Sequence, residues 1–465
     1  MKELGIIGSM KIIPKKSRFL IIGVIMNRVI DARSKLGCVS WIKKTVFPLI
    51  FGIDKENLEV NQIYKAMDTF YNRMNEVMEE FFKKNKENTL LLLYDITSVF
   101  FEGAGPEELA RYGYSRDKRG DRPHILLCLC LNEKKLPIYF DILEGNIQDK
   151  KTVIPMIKEL QKKFSLSNSI FVGDRGMISV ENIDFLEQEG IDYIVALTHR
   201  QARQLLFKEN IQPELFDKEI PITIYTEGKK KYILCGSKYR KDYDKIVLGE
   251  ILERGKKALE SVSKMVVSSR LKEKDKVIRR AQKKLTESGC ENFYDFRYEG
   301  GEFHIIEKTS FIEKSKALCG YYILETTKTE MEDKKVENCY KQLKQVEESF
   351  RQLKKLVQIK PVFHWKERMV KTHAFLCILA QTVVNKIKGR LKESGWLDEK
   401  KENSFTSFLD ILESVELGIF EIEKAKKEIL NVLTDETKRM LGIFEIDEEY
   451  FTDIEKIKRE ITILQ

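Results

Sequence analysis

The sequence lacks the cysteine and histidine patterns of a structural zinc site or a disulfide scaffold. None of its eight cysteines forms a CxxC pair, and none of its five histidines stands at zinc-finger spacing. Cys128 and Cys130 alternate on one face of an apolar segment, which indicates packing in a core. Because five histidines leave few candidates for a catalytic triad, we interpret Thr97 and Ser98 as hydrogen-bonding residues and not as nucleophiles.

The sequence also has little that would place it in a membrane. The apolar run at 19–26 is much shorter than the ~20 residues that cross a bilayer. Arg28, Asp31 and Arg33 follow this run, without the small residues of a signal-peptide cleavage site. The run is therefore predicted to be a buried helix of a cytoplasmic protein that has no membrane partner.

Acidic residues are fewer than basic ones, although the deficit is mild. The chain of 465 residues carries 82 Lys and Arg against 73 Asp and Glu, which gives a net charge of +9. This excess suits a nucleic-acid partner, but it also fits many soluble proteins. The apolar and charged contents are those of a globular protein, and the length predicts two or three lobes.

The first 204 residues predict a helical region followed by a sheet. Residues 1–88 are predicted to be helical, and they either dock on DNA or support the next domain. Residues 89–204 are predicted to form the first part of a core. Its predicted strands are 89–101, 124–131, 136–144, one ending at Asp174 and 191–197, with helices at 149–164 and 179–189. This order predicts an α/β fold, with a mixed sheet flanked by helices.

The remaining chain predicts an insertion, a second core segment and a helical C-terminal region. Residues 205–330 break the alternation of strands and helices and are interpreted as an insertion. Its strongly charged stretch, 242–286, is either a solvated helix or an arm that faces DNA. Residues 331–395 are predicted to complete the core, beginning with a long helix at 332–356. Residues 396–465 are predicted to be helical.

Three acidic residues stand at positions suited to a metal-dependent nuclease. Asp95 and Asp174 each follow a run of apolar residues, so both are predicted to end strands, and Glu347 lies in the predicted helix 332–356. Two divalent cations held by such carboxylates activate a water and stabilise the leaving oxygen of a phosphodiester. Asp95 lies within an otherwise apolar run, where an unpaired carboxylate is costly and a metal would offset that cost.

The helix of Glu347 carries further candidates for DNA contact. Tyr340, Glu347 and Lys354 are seven residues apart, so they drift by only ~20° per step and share one stripe of a helix. Arg351 lies four residues after Glu347 on the same side. Arg351 and Lys354 would then face phosphate oxygens, while Tyr340 would donate to a phosphate or stack on a base. A surface helix with ion pairs such as Glu347–Arg351 is the alternative interpretation.

Taken together, these motifs resemble those of bacterial insertion-sequence transposases with a DDE catalytic domain. The class is the one that carries a tyrosine–arginine–glutamate–lysine signature, and the resemblance spans roughly residues 26–390. It rests on YDITS at 94–98, GYSRDKRGD at 113–121, EGN at 144–146, VGDRGM at 172–177, and the span from Tyr340 to Lys354 followed by PVFH at 361–364.

The resemblance implies an RNase H-like fold that an insertion interrupts before the glutamate helix. It implies two Mg²⁺ ions, which Mn²⁺ can replace, held by Asp95, Asp174 and Glu347. It also implies nicking of DNA at the ends of the element, followed by attack of the freed 3′ hydroxyl on the opposite strand and later on target DNA. The implied protein is bacterial, cytoplasmic and nucleoid-associated.

The implied partner is double-stranded DNA, both the element ends and the target, bound by a homodimer. By the resemblance, Tyr340, Lys354 and Arg351 are the contacts to the DNA end. Lys344 and Arg175 are further candidate DNA contacts.

Three positions depart from the pattern of the family. The signature arginine is replaced by Leu343, so Lys344 or Arg351 would have to make that phosphate contact. Cys319 stands where relatives often have an aspartate and is interpreted as structural. The region ahead of residue 27 is short for this group, so the chemistry can survive a truncated N-terminus while recognition of the element ends is lost.

Two other functions stay open from the sequence. One is a different RNase H-like endonuclease, which the glutamate-helix signature disfavours. The other is a DNA-binding protein that descends from a transposase and no longer catalyses. Trp365 and Trp396 are predicted to be core or helix-packing residues and not platforms for base stacking.

Overall fold

A computed structural model of the chain describes most of the 465 residues. The described residues are 1–86, 89–163, 166, 168–177, 179–208, 221–237, 240–397, 404–422 and 425–446. Helices and strands alternate along the middle of the chain, and helices predominate before residue 87.

The helices are numbered in chain order. They are α1 (Ile6–Ser9), α2 (Lys15–Ile30), α3 (Lys35–Lys44), α4 (Phe47–Phe51), α5 (Val60–Tyr71), α6 (Met74–Lys86), α7 (Val153–Lys163), α8 (Val180–Gln188), α9 (His199–Lys208), α10 (Lys241–Val267), α11 (Lys274–Ser288), α12 (Thr309–Ala317), α13 (Asp333–Lys341), α14 (Lys344–Lys355), α15 (Glu367–Glu393), α16 (Phe405–Glu413) and α17 (Asp435–Ile443). Short 3-10 turns occupy Asp149–Thr152 and Arg175–Met177.

The strands follow the same order. They are β1 (Leu91–Phe100), β2 (His124–Leu131), β3 (Pro137–Glu144), β4 (Ile170–Gly173), β5 (Asp192–Ala196), β6 (Ile222–Glu227), β7 (Lys230–Gly236), β8 (Tyr294–Glu299), β9 (Glu302–Glu307), β10 (Tyr321–Thr326), β11 (Leu417–Ile422) and β12 (Ala425–Leu430).

The chain forms two compact units. The first consists of Met1–Ser169 and Gln342–Gln465, and the second of Ile170–Lys341. Each unit has its own strands and its own apolar core, and each is described by itself.

The first unit contains an antiparallel meander in the order β3–β2–β1. Every residue of β2 is buried, both its first residue, His124, and the apolar run at 125–131. Most of α15 is buried as well, and it packs against α2, α5 and β3. At the centre of this core the ring of Phe375 stacks on that of Phe140, with centroids 5.7 Å apart. The predicted buried helix at 19–26 lies within α2 and is confirmed.

The second unit contains five strands in the order β4–β5–β10–β7–β6. The pair β4–β5 is parallel and is joined through α8, whereas β10, β7 and β6 continue the sheet antiparallel. A separate apolar cluster is built from α10, α11, α12 and the hairpin β8–β9. Parallel and antiparallel pairing thus occur together, so the predicted α/β fold with a mixed sheet and flanking helices is confirmed.

The long helix predicted at 332–356 is wrong, because the chain turns at residues 342–343. The segment forms α13 and α14, and α13 packs against β4 and β5 while α14 packs against β1 and β2. Leu343 stands at the break, is buried, and acts as the N-cap residue of α14 without a side-chain cap. The helical periodicity continues through the turn, so the pattern alone does not reveal the break.

The interpretation of 396–465 as helical is wrong for a hairpin within it. β11 and β12 pair antiparallel, with Leu417 opposite Leu430 and Ile422 opposite Ala425. Helices α16 and α17 flank this hairpin and agree with the prediction. The β-branched and aromatic residues of β11 favour a strand once a partner strand is available.

Candidate active site

Asp95 lies in the middle of β1 and not at its end, so the predicted strand end is wrong. The strand continues to Phe100 because the next residues, ITSVF at 96–100, are mostly β-branched or aromatic. Asp95 is half-buried between buried neighbours and pairs in register with Leu129 of β2. Its Oδ1 accepts a hydrogen bond from the backbone N–H of Ile96 at 2.7 Å. The strand therefore holds this carboxylate at a fixed position on the sheet.

Glu347 lies on α14, which packs against β1 and β2. The helix buries Val346, Phe350 and Leu353 and leaves Glu347 exposed. The apolar face of α14 thus packs on the strand pair that carries Asp95, and the carboxylate of Glu347 stays exposed on that helix. Lys344 and Arg351 are likewise exposed on α14.

Lys354 has a partner that the sequence did not predict. Its Nζ donates to Oδ1 of Asp117 at 2.9 Å, and Nζ of Lys360 reaches the same oxygen at 2.8 Å. All three side chains are largely buried, with 14% of Lys354, 21% of Lys360 and 12% of Asp117 exposed. The second carboxylate oxygen of Asp117 is buried and has no hydrogen-bond partner among the described residues. One carboxylate therefore serves two ammonium groups.

Burial and charge act in opposite directions on this cluster. Burial opposes ionisation of Asp117, but hydrogen bonds from Lys360 and Lys354 outweigh it and lower the pKa of the carboxyl group. Burial lowers the pKa of Lys354, and Asp117 works against that decrease. Removal of Asp117 would leave two buried cations next to each other.

The loop that carries Asp117 is attached to the far half of β1. The backbone N–H of Arg116 donates to Oγ of Ser98 at 2.9 Å, and its guanidinium pairs with Asp149 at 2.5 Å. Arg119 and Lys360 lie over the ring of Phe100, with their cationic centres 5.1 and 5.2 Å from its centroid. The hydrogen-bonding role predicted for Ser98 is confirmed. The GYSRDKRGD motif is thus a cationic loop fixed on the strand of Asp95.

In the second unit, Asp174 follows β4 directly and is exposed. Its Oδ1 accepts from the backbone N–H of Arg175 at 2.7 Å, and the hydroxyl of Tyr340 lies 3.5 Å from the same oxygen. Tyr340 is on α13, which packs against β4 and β5, and its ring lies 5.7 Å from that of Tyr322. Tyr340, a predicted contact to the DNA end, and Asp174, a predicted metal ligand, are therefore neighbours within this unit.

The common stripe predicted for Tyr340, Glu347 and Lys354 is not formed by one helix. Tyr340 lies on α13, whereas Glu347 and Lys354 lie on α14 after the turn at 342–343. The argument from helical spacing holds for Glu347, Arg351 and Lys354 alone.

Asp95 and Glu347 belong to the first unit and Asp174 to the second. Across the described ranges, no three Asp, Glu, His or Cys side chains lie close enough together to hold one metal ion. The assignment of these three carboxylates as metal ligands stays a prediction, as do the DNA contacts.

The sequence interpretation missed some residues of this region and misplaced one. Asp117 belongs to the GYSRDKRGD motif but had no predicted role, and Lys360 was not singled out. Trp365 was predicted to be a core residue, which is wrong, because 68% of it is exposed. It lies in the segment next to Lys360, after α14, where Phe363 is also exposed. Trp396 is buried and packs edge-on against Phe408, as predicted.

The two substituted family positions are both buried. Leu343 is 5% exposed at the α13–α14 turn, so it does not reach solvent where a DNA phosphate would lie. Cys319 is buried next to Gly320, whose backbone N–H donates to Oδ2 of Asp244 at 3.1 Å. Gly320 has a φ of +87°, which favours glycine.

Comparison with known families decides the broad assignment. The family model of the transposase DDE domain matches residues 89–383. The chain belongs to this transposase DDE-domain family. The match includes Asp95, Asp174 and Glu347, and it covers well over half of the chain.

The chain is similar to a solved transposase structure. A piggyBac transposase, determined by cryo-EM as a synaptic complex with hairpin DNA, is similar with a TM-score of 0.41 and 10% identity, over 97% of this chain and 76% of that one. The family assignment rests on the family model. No curated protein matches the chain by sequence. Within the described residues, none of the helices has the length and apolar character to span a membrane.

Proposed function

We propose that this protein is a DDE transposase that cleaves DNA at the ends of an insertion sequence and joins the freed end to target DNA. Membership of the transposase DDE-domain family carries the proposal. The packing of α14 against β1 and β2 supports it, because the helix of Glu347 then lies on the strand pair of Asp95. Phosphoryl transfer needs carboxylates held on rigid elements, and a strand and a packed helix are such elements.

Asp95, Asp174 and Glu347 are proposed to hold two Mg²⁺ ions, which Mn²⁺ can replace. The donor chemistry fits, because all three offer the carboxylate oxygens that Mg²⁺ prefers. Asp174 and Glu347 are exposed and Asp95 is half-buried, so little desolvation opposes binding. When bound, the ions would activate the attacking oxygen and neutralise charge on the leaving oxygen. Within the first unit, β1 and the packed helix α14 hold Asp95 and Glu347, and in the second unit Asp174 follows β4 directly.

The cations of α14 and its neighbours are proposed to hold the DNA end. Arg351 and Lys344 are exposed on α14 and can approach phosphate oxygens. Lys354 and Lys360 already converge on one anionic oxygen, that of Asp117. A phosphate oxygen could share or replace that carboxylate oxygen, since both are anionic acceptors.

Tyr340 and Arg175, which both belong to the second unit, are proposed to contact the same DNA end. Both lie next to Asp174, one by its hydroxyl and one by its backbone N–H. The protein is proposed to act as a homodimer, because two element ends must be brought together, and to work in the bacterial cytoplasm at the nucleoid.

The proposal is tested by DNA cleavage with single carboxylate variants. Asp95→Asn, Asp174→Asn and Glu347→Gln should each lower the cleavage rate by about a thousand-fold or more, because each removes a metal ligand. The substrate is a supercoiled plasmid with the genomic DNA that flanks the coding sequence, incubated with Mg²⁺ or Mn²⁺. Binding of the same DNA should change by less than about threefold.

Glu348→Gln is the matched control, because Glu348 is the next residue of α14 and is oriented toward Gln352. It should cleave like the wild type. Cleavage retained in any of the three carboxylate variants would contradict the assignment. Binding without cleavage in the wild type would favour the non-catalytic transposase descendant. The buried Leu343 at the position of the signature arginine is consistent with that alternative. Cleavage without strand transfer would favour a different RNase H-like endonuclease.

A further inference from the structure

The positive charge of the chain is concentrated in one short stretch of the second unit. Residues 270–284 hold eight Lys and Arg against two acidic residues, Glu273 and Asp275, which is a net charge of +6. The whole chain of 465 residues has a net charge of +9. The stretch comprises the start and middle of α11 and the loop before it.

Helix α11 separates its apolar and cationic residues onto different faces. Val277, Ala281 and Leu285 recur every four residues, are buried, and join the apolar cluster shared with α10. At ~100° per residue, four cations fall within an arc of about 100° on the far side of the helix. We call them the α11 stripe, which consists of Lys276, Arg279, Arg280 and Lys283.

All four residues of the α11 stripe are exposed. Lys276 pairs with Glu273 at 2.8 Å and Lys283 with Glu287 at 3.9 Å, whereas Arg279 and Arg280 have no ion-pair partner among the described residues. Exposed ion pairs of this kind contribute little to stability, so both lysines can exchange their partner for another anion. A helix that is merely solvated commonly alternates the two signs of charge. On this face no acidic residue stands between Lys276 and Lys283, and Glu273 and Glu287 lie at the two ends of the stripe.

We propose that the α11 stripe binds the phosphate backbone of double-stranded DNA. The stripe spans eight residues, or about 10 Å along the helix axis, and about six phosphates lie along that length of duplex axis. Two of its members are arginines, which bind phosphate through two parallel hydrogen bonds. No aromatic residue belongs to the stripe, so it is suited to backbone contacts and not to base stacking. The apolar face of α11 is buried in its own unit, which leaves no such face to enter a membrane.

The inference rests on the proposed function in one respect, that duplex DNA is the substrate. It adds a binding surface that lies outside the glutamate helix and the carboxylates. For the α11 part of the charged stretch 242–286, it favours an arm that contacts DNA over a solvated helix.

The test compares two quadruple variants of the full chain. One replaces the α11 stripe by K276Q, R279Q, R280Q and K283Q. The other removes the same charge from four separate exposed sites of the second unit, by K229Q, R297Q, K308Q and K316Q. Affinity for a 30-base-pair duplex of arbitrary sequence is measured by fluorescence anisotropy between 50 and 200 mM salt, without divalent cations. Circular dichroism verifies the fold of each variant.

The stripe variant should bind about tenfold more weakly or worse at 100 mM salt. The slope of log affinity against log salt should become shallower by about two to four, because each phosphate contact contributes roughly 0.9. The dispersed variant should stay within about twofold of the wild type.

Equal weakening of the two variants would overturn the proposal, because net charge alone would then explain it. A stripe variant that binds duplex like the wild type but loses binding to phosphatidylserine vesicles would assign the surface to membranes instead. Plasmid cleavage by the wild type separates this inference from the proposed function. Stripe-dependent binding without cleavage would contradict the proposed function alone, whereas cleavage with stripe-independent binding would contradict the stripe alone.

Discussion

Asp117 is the shared counter-charge of two lysines that lie more than 200 residues further along the chain. Lys354 reaches it from α14 and Lys360 from the segment after that helix. No spacing rule connects residues so far apart, so the sequence predicted a role for Lys354 and none for its partner. The chemistry of a residue type was predictable here, but its contact depends on how the loop at 114–122 folds back onto β1.

Asp117→Asn should destabilise the protein by about 1 to 3 kcal/mol, because it leaves two buried ammonium groups without an anionic acceptor. In the wild type, Asp117 opposes the lowering of the pKa of Lys354 by burial. In the variant that opposition is lost, so the pKa of Lys354 should be lower still. Urea unfolding at pH 7 measures the loss. Asp121→Asn is the control in the same loop, because Asp121 is exposed and pairs with Arg119 at the surface, and it should change stability little.

The stability difference between wild type and Asp117→Asn has a defined pH dependence. The pKa of Asp117 is lowered from its ordinary 3.8, so its ionised form contributes stability that is fully present above pH 3.8. That contribution disappears as the pH falls through the lower folded-state pKa. The difference should therefore be constant from pH 5 to 7 and shrink below pH 4. A difference that grows toward acid would contradict the ion-pair assignment.

At the scale of elements, one hexapeptide adopts two structures. LGIFEI forms the strand β11 at 417–422, whereas at 441–446 its first three residues end the helix α17. The two copies have the same local propensities, so the partner strand β12 at one site and the capped helix start at Thr434 at the other decide the outcome. Strong amphipathic patterns such as those of α5 and α7 were predictable because their own tertiary context agrees with them.

The break between α13 and α14 likewise depends on packing. Leu343 is buried at this turn, so the position of the family's signature arginine is closed to solvent. Leu343→Arg should destabilise the protein by about 2 kcal/mol or more, because it places an unpaired charge in an apolar site. Urea denaturation measures this change, and duplex affinity should not rise.

Lys344→Arg provides the comparison for Leu343→Arg, since the neighbouring residue is exposed and keeps its charge. Its effect on stability should stay within about 0.5 kcal/mol. A Leu343→Arg protein that is as stable as the wild type and binds DNA more tightly would mean that the turn opens and that the arginine role is accessible after all.

At the scale of the whole molecule, α2 and α3 meet α15 around buried basic residues. Nε2 of His373 lies 3.1 Å from the carbonyl oxygen of Ile359, which can only accept, so this nitrogen carries the proton. Nδ1 then faces Nζ of Lys35 at 3.4 Å as an acceptor. Burial and the nearby cations lower the pKa of His373 well below its usual range, that of His364 to about 3, and that of Lys35 to about 7.

These lowered pKa values make acid destabilising. Between pH 6.5 and 3 the unfolded chain binds protons at His364 and His373 that the folded chain does not bind. The free energy of unfolding therefore decreases as the pH is lowered. From pH 7 to pH 5 the wild type should lose about 1 to 2 kcal/mol more than His364→Gln, measured by urea unfolding at each pH. Equal losses in the two proteins would contradict a neutral His364 in the folded chain.

Lys35 extends the same rise of stability with pH to the alkaline side. Above its folded-state pKa of about 7, Lys35 is neutral in the folded chain but still protonated in the unfolded one, until pH 10.5. The unfolded chain then holds the extra proton, so stability should rise with pH between 7 and 10. Lys35→Met should be more stable than the wild type at pH 7 and should lack that rise.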